Sequence, residues 1–166
     1  MVLEAILKRR SIRDYTDQPV TDQQIRTLLE AAMAAPSGND KRPWHFIVVR
    51  DPDLRRGLAR THPYSGMCDR APVVFVVCGD EQASPHWMVD GSAATENLLV
   101  QAAAMGLGGC WVACFPRPER EDYVRKLLGI PEALRVLCLV PLGWPAAPKP
   151  ARTRYEERCV HYDRFS

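Results

Sequence analysis

The sequence predicts an α+β (mixed α/β) fold in which a central mixed sheet is flanked by helices. Four runs of β-branched and apolar residues alternate with segments of helical periodicity, which is typical of a sheet with helices packed on it. One run, residues 72–78, is apolar without interruption, as expected for a strand buried on both faces. The 166 residues, 46% hydrophobic and 25% charged, have the size and composition of one globular domain.

Two helices are predicted at the start of the chain. Apolar residues at helical spacing within residues 3–7 predict a short first helix. Thr21 and Gln24 have the spacing of a capping box, in which each side chain bonds the backbone N–H of the other residue. The apolar positions that follow share one helical face until Pro36 ends the pattern.

The segment before the apolar run is predicted to contain a strand, a helix and a loop. Residues 45–50 favour a strand because they are rich in β-branched and apolar side chains. Asp51, followed by proline, is a typical helix start. Residues 61–71 are predicted to be a surface loop, with Gly66 and Met67 at a pocket mouth as the alternative.

The second half of the chain is predicted to open with a long helix over residues 90–105, capped by Asp90. The glycines within residues 106–109 resemble a dinucleotide-binding fingerprint, but that fingerprint follows a strand and opens a helix. Here the order is reversed, so these glycines are interpreted as a helix end and a tight turn into the next strand. The remaining predicted elements are a strand over residues 110–115, a helix over residues 118–128 and a strand over residues 135–142.

The C-terminal segment differs from the rest of the chain. Residues 1–145 are predicted to form the domain, and residues 146–166 to form an extended, proline-rich arm. The arm carries Tyr155, Tyr162 and Phe165, whose side chains are expected to seek burial. We therefore expect it to pack on a partner subunit, with a mobile tail as the alternative.

Charge, cysteine usage and the N-terminus limit the class of protein. A net charge of +2 and a pI near 8.3 give no general attraction to nucleic acid or to a membrane. The N-terminus lacks the pattern of a signal peptide, and no apolar run approaches the length of a membrane span. Most of the six cysteines lie within apolar runs, which favours buried thiols in a reducing compartment. A cytoplasmic protein is expected.

A cluster of arginines near the N-terminus is a candidate anion site. Arginine side chains offer a planar fork of donors that fits phosphate oxygens in pairs. In an extended segment, alternation would place Arg9, Ser11 and Arg13 on one side of the backbone, with Arg10 between them. The alternative is a solvated basic end of the first helix, stabilised by the helix dipole.

Two further stretches favour the anion site. Pro36, Ser37, Gly38 and Asn39 form a turn of small residues whose backbone amides could approach a ligand, although an ordinary helix-ending loop has the same composition. Lys149 and Arg152 add basic residues in the arm, and the three stretches together fit a phosphate-bearing cofactor whose own ring carries the reaction. The scattered histidines predict no metal site, and the sequence contains no Gly-x-Ser-x-Gly or local cysteine signature of a nucleophile.

Four motifs resemble those of the FMN-dependent nitroreductase family in order and spacing. They span nearly the whole chain and are residues 9–13, residues 35–46 from Ala-Pro-Ser-Gly-Asn to Pro-Trp-His-Phe, residues 105–108, and Gly-Trp-Pro at 143–145 with the basic tail after it. The resemblance implies an α+β homodimer with two FMN sites at the interface, each built from both subunits, and a C-terminal arm exchanged between them.

The resemblance also implies roles for individual residues. Arg9, Arg10 and Ser11 would hold the FMN phosphate and ribityl end, and Lys149 and Arg152 would close on the phosphate. Arg13 would reach the N1/O2 edge of the flavin ring, where a cation stabilises the reduced, anionic flavin. The resemblance implies that four turn residues cover the flavin ring of the opposite subunit, namely Pro36, Ser37, Gly38 and Asn39. It implies that Ala113 and Cys114, at the end of a strand, lie beside the flavin ring bound by their own chain.

The activity implied by the resemblance is ping-pong oxidoreduction without a catalytic side chain. NADH or NADPH would reduce the flavin, which then reduces a nitroaromatic, a quinone or a similar flat acceptor. The sequence departs from many members at Asp40, Arg42 and Cys114. A flavin-consuming or specialised dehydrogenase member, a non-catalytic FMN-binding protein and a small nucleic-acid module are the alternatives, and the low net charge disfavours the last.

Overall fold

An antiparallel sheet of five strands runs through the centre of the molecule, whose computed structural model describes residues 1–165. The strands are β1 (Trp44–Val49), β2 (Val73–Asp80), β3 (Gly108–Gly109), β4 (Val112–Ala113) and β5 (Leu134–Gly143). The helices are α1 (Glu4–Lys8), α2 (Asp22–Met33), α3 (Pro52–Leu58), α4 (Met67–Arg70), α5 (Trp87–Ala104) and α6 (Pro118–Leu128). Short 3₁₀ turns cover Gly38–Asp40 and Glu157–Cys159.

The strand order confirms the α+β fold class. The sheet runs β1-β2-β5-β3, with β4 also paired to β5, and each of these strand pairs is antiparallel. The parallel part of the sheet is an isolated bridge between Ser11 and Gly109, which adds the N-terminal segment to its edge. That bridge matters for the site because it ties the arginine cluster to the sheet.

Both faces of the sheet are covered, as the uninterrupted apolar run predicted. Phe75 of β2 belongs to a core cluster with Leu28 of α2 and Leu98 of α5. Its neighbour Val76 faces the other way, into a cluster that includes residues of α3, α4 and α6 such as Val124. Strand β2 therefore has no polar face, because helices pack on both sides of it.

Helix α5 begins earlier than predicted. It starts at Trp87, and Asp90 lies inside its first turn instead of capping it. The buried Asp90 carboxylate accepts hydrogen bonds from Gly38 N at 3.1 Å and from Ser84 Oγ at 3.2 Å. The prediction of Asp90 as a cap was wrong because this carboxylate anchors a turn that is distant in sequence.

The predicted strand over residues 110–115 is divided into β3 and β4. Gly109 pairs with Leu142 and Val112 with Leu139, so the two pieces keep one register against β5. Cys110 lies opposite Pro141, whose nitrogen has no hydrogen to donate, and the ladder is interrupted there. Residues 61–71, predicted as loop, contain the single turn α4.

The predicted capping box and helix end are confirmed. Thr21 and Gln24 exchange both hydrogen bonds, at 2.9 and 3.2 Å, at the start of α2. After α5 the chain reverses at Gly106, whose φ of +78° favours glycine, and Leu107 N donates to Ala102 O at 2.8 Å. This turn delivers β3 to the sheet edge beside the N-terminal segment.

The first part of the arm forms backbone hydrogen bonds with its own chain. Ala146 N donates to Asp14 O at 3.0 Å, and Arg152 N donates to Leu7 O at 3.1 Å. Most of the residues beyond Arg152 are exposed, and Tyr162 and Phe165 expose 82% and 91% of their surface. Ser166, the last residue of the predicted arm, lies outside the described residues. Within residues 1–165, no helix has the length and apolar character needed to cross a bilayer.

Candidate functional site

A cavity of about 280 Å³ lies where the N-terminal segment, the end of α5 and the start of the arm meet. Arg9, Arg10 and Lys149 line it, together with the turn that contains Gly106 and the glycines of β3. The structure thus brings together residues from three predicted motifs, the first and last of which are more than a hundred positions apart in the chain.

The N-terminal segment is held against β3 by backbone contacts. Ile12 N donates to Gly109 O at 3.0 Å, beside the bridge between Ser11 and Gly109. Tyr15 Oη lies 2.8 Å from Ile12 O and 3.0 Å from Pro141 O. The approach requires glycine at position 108, where a Cβ atom would lie 2.3 Å from Ile12 Cγ1.

The arginines at this cavity are only partly satisfied by the protein. Arg9 Nε pairs with Glu96 Oε1 at 3.1 Å. Arg10 Nη1 donates to Pro150 O, but its Nε is buried and has no hydrogen-bond partner within the described residues. A buried donor without an acceptor is costly, so Arg10 indicates a ligand that supplies an oxygen atom.

The arm adds further positive charge. Lys149 Nζ donates to Ser11 O at 2.7 Å, which fixes the ammonium beside the arginine cluster. The pKa of Arg152 is lowered, first by reduced contact with water and then by the charges of Arg10, Arg154 and Arg9. Cations that crowd one another in this way favour the binding of an anion such as a phosphate group.

A second cavity, of about 240 Å³, lies farther along the same edge of the sheet. Its lining includes Arg13, His62, Trp111, Ala113 and Arg120. Strand geometry places Ala113 about 13 Å beyond the glycines of the first cavity. The alternation argument therefore failed for Arg13, which lines this second cavity, whereas Arg9 and Arg10 line the first.

Ala113 and Cys114 differ in what they present to the second cavity. Ala113 is exposed, and its carbonyl accepts a hydrogen bond from Arg120 Nη1 at 3.2 Å. Cys114 is fully buried, its N–H donates to Leu137 O at 3.0 Å, and burial raises its thiol pKa to about 12. Only Ala113 of this pair lines the cavity.

The turn over residues 36–39 lines neither of these two cavities. It is held by Asp90 near the start of α5, whereas the first cavity contacts Leu99 and Ala103 of the same helix. Along the helix axis those contacts are separated by about 14–20 Å. Within one chain, the structure does not bring Pro36, Ser37, Gly38 and Asn39 to the arginine cluster.

The end of this turn has an unusual backbone. Asn39, Asp40 and Arg42 have φ values of 51°, 55° and 47°, a left-handed conformation that costs free energy in residues other than glycine. Arg42 pairs with Asp40 and lowers the pKa of that carboxyl. Ser37 Oγ accepts a hydrogen bond from Arg42 N at 3.0 Å. Asp40 and Arg42, two of the three departures from the pattern of the resembled family, therefore pair with each other.

Several residues of the site region were not predicted. His62 and Arg120 line the second cavity but carry no local motif, and Asp90 supports the turn from another element. The sequence held one signal, the suggested pocket mouth at Gly66 and Met67. Met67 does line the second cavity, and both residues line a shallower depression beside it.

Comparison with known proteins gives concordant matches along the chain. A sequence model of the nitroreductase family matches residues 6–63 and 58–144. A candidate NADH dehydrogenase/NAD(P)H nitroreductase from Methanothermobacter thermautotrophicus is 40% identical over 167 residues, covering 99% of this chain and 87% of that protein.

Solved structures share the whole architecture. The crystal structure of a candidate NADH dehydrogenase/NAD(P)H nitroreductase from Bacteroides thetaiotaomicron is 39% identical with a TM-score of 0.94, covering 96% of this chain and 95% of that one. An FMN-dependent nitroreductase from Clostridium difficile is 30% identical with a TM-score of 0.93, covering 97% and 98% of the two chains.

Proposed function

Since the chain belongs to the nitroreductase family, we propose that it is an FMN-dependent NAD(P)H oxidoreductase that reduces a nitroaromatic, a quinone or a similar flat acceptor. The observation that carries the proposal is the pair of cavities along one sheet edge, an anion site followed by a cavity with aromatic and cationic walls. A phosphate-bearing ring compound laid along this edge would contact both.

The residues present fit FMN. The buried Nε of Arg10, which has no partner in the part of the chain that the structure describes, and the crowded charge of Arg152 match a phosphate dianion. We therefore assign the phosphate end to Arg9, Arg10, Ser11, Lys149 and Arg152. Gly106, Gly108 and Gly109 line this cavity without side chains, which suits a ligand that lies against the backbone.

The ring end is assigned to the second cavity. Arg13 would place a cation at the ring edge, and Ala113 would offer backbone atoms beside the reacting face. When bound, the flavin supplies the redox chemistry, accepting a hydride from NADH or NADPH and passing electrons to the acceptor. The chain's own residues bind and orient the partners and restrict water, and no side chain is required as an acid or base.

The separation of the 36–39 turn from the arginines supports a site built from two subunits. We propose a homodimer in which Pro36, Ser37, Gly38 and Asn39 cover the flavin bound mainly by the partner chain. Exposed apolar residues on both ends of the chain provide an interface of the required kind, including Leu3, Ile6, Tyr155 and Phe165. The arm, residues 146–166, would then pack on the partner subunit, and the dimer would act in the cytoplasm.

The first experiment is an absorbance spectrum of the purified protein, followed by anaerobic addition of NADH and, separately, NADPH. We expect a flavin spectrum that bleaches with one or both donors and recovers when a nitroaromatic or quinone is added. A flavin spectrum that no donor bleaches would indicate a non-catalytic FMN-binding protein. A protein that stays colourless after reconstitution with FMN would overturn the proposal.

A further inference from the structure

The second cavity contains cations that the protein does not neutralise. Arg13 and Arg120 both line it. No carboxylate within residues 1–165 forms an ion pair with either guanidinium. Asp14, beside Arg13 in the chain, pairs instead with Arg70 at 3.1 Å. Because neither cation has a protein counter-charge, a ligand that brings a negative charge would be favoured there.

His62 adds a hydrogen-bond donor, and its tautomer follows from its contacts. Tyr64 N donates to His62 Nδ1 at 3.0 Å, so Nδ1 carries the lone pair and Nε2 carries the proton of the neutral ring. Nε2 is buried and has no partner among the described residues. Burial, and then the charge of Arg120, lower the pKa of His62, so the ring is neutral near pH 7 and Nε2–H lacks an acceptor.

The remaining walls suit a flat ring. Tyr64 exposes 79% of its surface and meets the His62 ring edge-on, with 6.0 Å between centroids. Met67 and Trp111 supply a thioether and an indole, groups that pack well on aromatic faces.

We propose that, with the flavin ring bound against Arg13 and Ala113, the side of this cavity formed by His62 and Arg120 selects an electron acceptor that consists of an aromatic ring with a carboxylate, with Arg120 as the principal anchor of the anion and His62 Nε2–H as a second donor. Arg120 is preferred over Arg13 because Arg13 is assigned to the flavin edge. The hydrogen bond from Arg120 Nη1 to Ala113 O already holds the Arg120 guanidinium at the cavity. The inference rests on the proposed function, since it names the acceptor class of the same site.

Equilibrium binding tests the inference without turnover. Benzoate and benzamide share one flat shape and differ in charge, and neither carries a reducible nitro group. Isothermal titration of each into FMN-loaded protein is expected to show that benzoate binds about 10-fold more tightly, the scale of one charge-assisted hydrogen bond. Turnover of 4-nitrobenzoate against methyl 4-nitrobenzoate is expected to follow the same preference in kcat/KM.

Two variants locate the effect. Arg120→Gln is expected to weaken benzoate binding about 10-fold and to leave benzamide binding within about twofold, because only the charge is lost. Arg117→Gln, which removes an exposed arginine three residues earlier that lines no described cavity, is the matched control and should change neither. His62→Phe keeps a ring at that position but removes the donor, and should weaken both ligands several-fold.

The outcomes separate this inference from the function on which it rests. If NADH or NADPH bleaches the flavin but benzoate and benzamide bind equally, the acceptor class is wrong and the oxidoreductase remains. If Arg120→Gln weakens FMN binding and leaves the preference for benzoate unchanged, Arg120 serves the cofactor and the inference fails. A protein that binds no FMN overturns both.

Discussion

At the scale of single residues, the arginines carry the argument for an anion site, but they are not equivalent. Among the described residues, the buried Nε of Arg10 has no acceptor, whereas Arg9 shares its charge with Glu96. Arg13 is exposed, forms no ion pair within residues 1–165, and lines another cavity. The residue types alone predicted the arginine cluster. The division of these arginines between two cavities depends on where the backbone turns.

Arg13→Ala is expected to lower FMN affinity about 10-fold, the loss of roughly one hydrogen bond to a charged donor, and to slow flavin reduction. Fluorescence titration with FMN and anaerobic stopped-flow reduction would measure the two effects. Arg26→Ala on α2, an exposed arginine paired with Glu30, is the control and should leave both unchanged. Unchanged affinity and rate in Arg13→Ala would show that Arg13 does not contact the ring edge.

The cysteines permit a prediction about reactivity. Cys159 is exposed and the other five cysteines are buried. Burial raises the pKa of Cys78 and Cys114 to about 12, so at pH 8 their reactive thiolate fraction is on the order of one in ten thousand. We expect a thiol-specific disulfide reagent to titrate at most one thiol, Cys159, rapidly in the native dimer, and six thiols after denaturation.

The Cys159→Ser variant serves as the control for that count. It should show no rapid phase and five thiols after denaturation, because only the exposed group has been removed. Two or more rapid thiols in the native wild-type protein would mean that the core opens far more readily than its burial implies.

At the scale of elements, the features fixed by neighbouring residues were predicted correctly, whereas the features fixed by contacts distant in the chain were not. The Thr21–Gln24 box and the glycine after α5 are completed within a few residues, and both were predicted correctly. Asp90 has the chemistry of a cap, yet it bonds a turn 52 positions away in the chain. The break between β3 and β4 is set by Pro141 on the opposing strand, which inspection of residues 110–115 alone could not reveal.

Gly108→Ala tests the contact between β3 and the N-terminal segment. The added Cβ would meet Ile12 Cγ1 at 2.3 Å, so the segment must shift, and we expect a loss of about 2 kcal/mol in the free energy of unfolding. Urea unfolding followed by circular dichroism would measure it. Because the same segment carries the arginines, FMN affinity should also fall.

Gly66→Ala is the matched control for that variant. A Cβ at this position meets no atom within 4 Å and the backbone there is helical, so stability should change by no more than about 0.5 kcal/mol. Equal stability of the two variants would mean that the N-terminal segment is not packed as closely on β3 as the geometry indicates.

At the scale of the whole molecule, the single chain forms its hydrophobic core without the arm and leaves large apolar side chains of the arm exposed. The core on both faces of β2 does not involve the arm, whereas Tyr155, Tyr162 and Phe165 lie exposed beyond it. Removal of residues 153–166 is therefore expected to leave the fold intact and to weaken dimerisation. Sedimentation velocity over a range of concentrations would measure the change.

A full-length variant separates the apolar anchors from the length of the arm. Tyr155→Ala, Tyr162→Ala and Phe165→Ala combined should weaken the dimer nearly as much as truncation, because the loss of apolar contact area dominates. Both altered proteins keep Lys149 and Arg152. A truncated chain that stays dimeric at the lowest concentrations would contradict the exchange of the arm between subunits.

The sequence by itself determined the α+β class and the order of most elements, and it predicted three basic or turn-rich stretches as a candidate site. These depend on periodicity, capping and turn chemistry, which act over a few residues. Only the tertiary structure decided that Arg13, His62 and Arg120 line one cavity, and that Asp90 holds the 36–39 turn away from Arg9 and Arg10. Such proximity depends on how β5, α5 and the N-terminal segment pack together, and no local pattern records that packing.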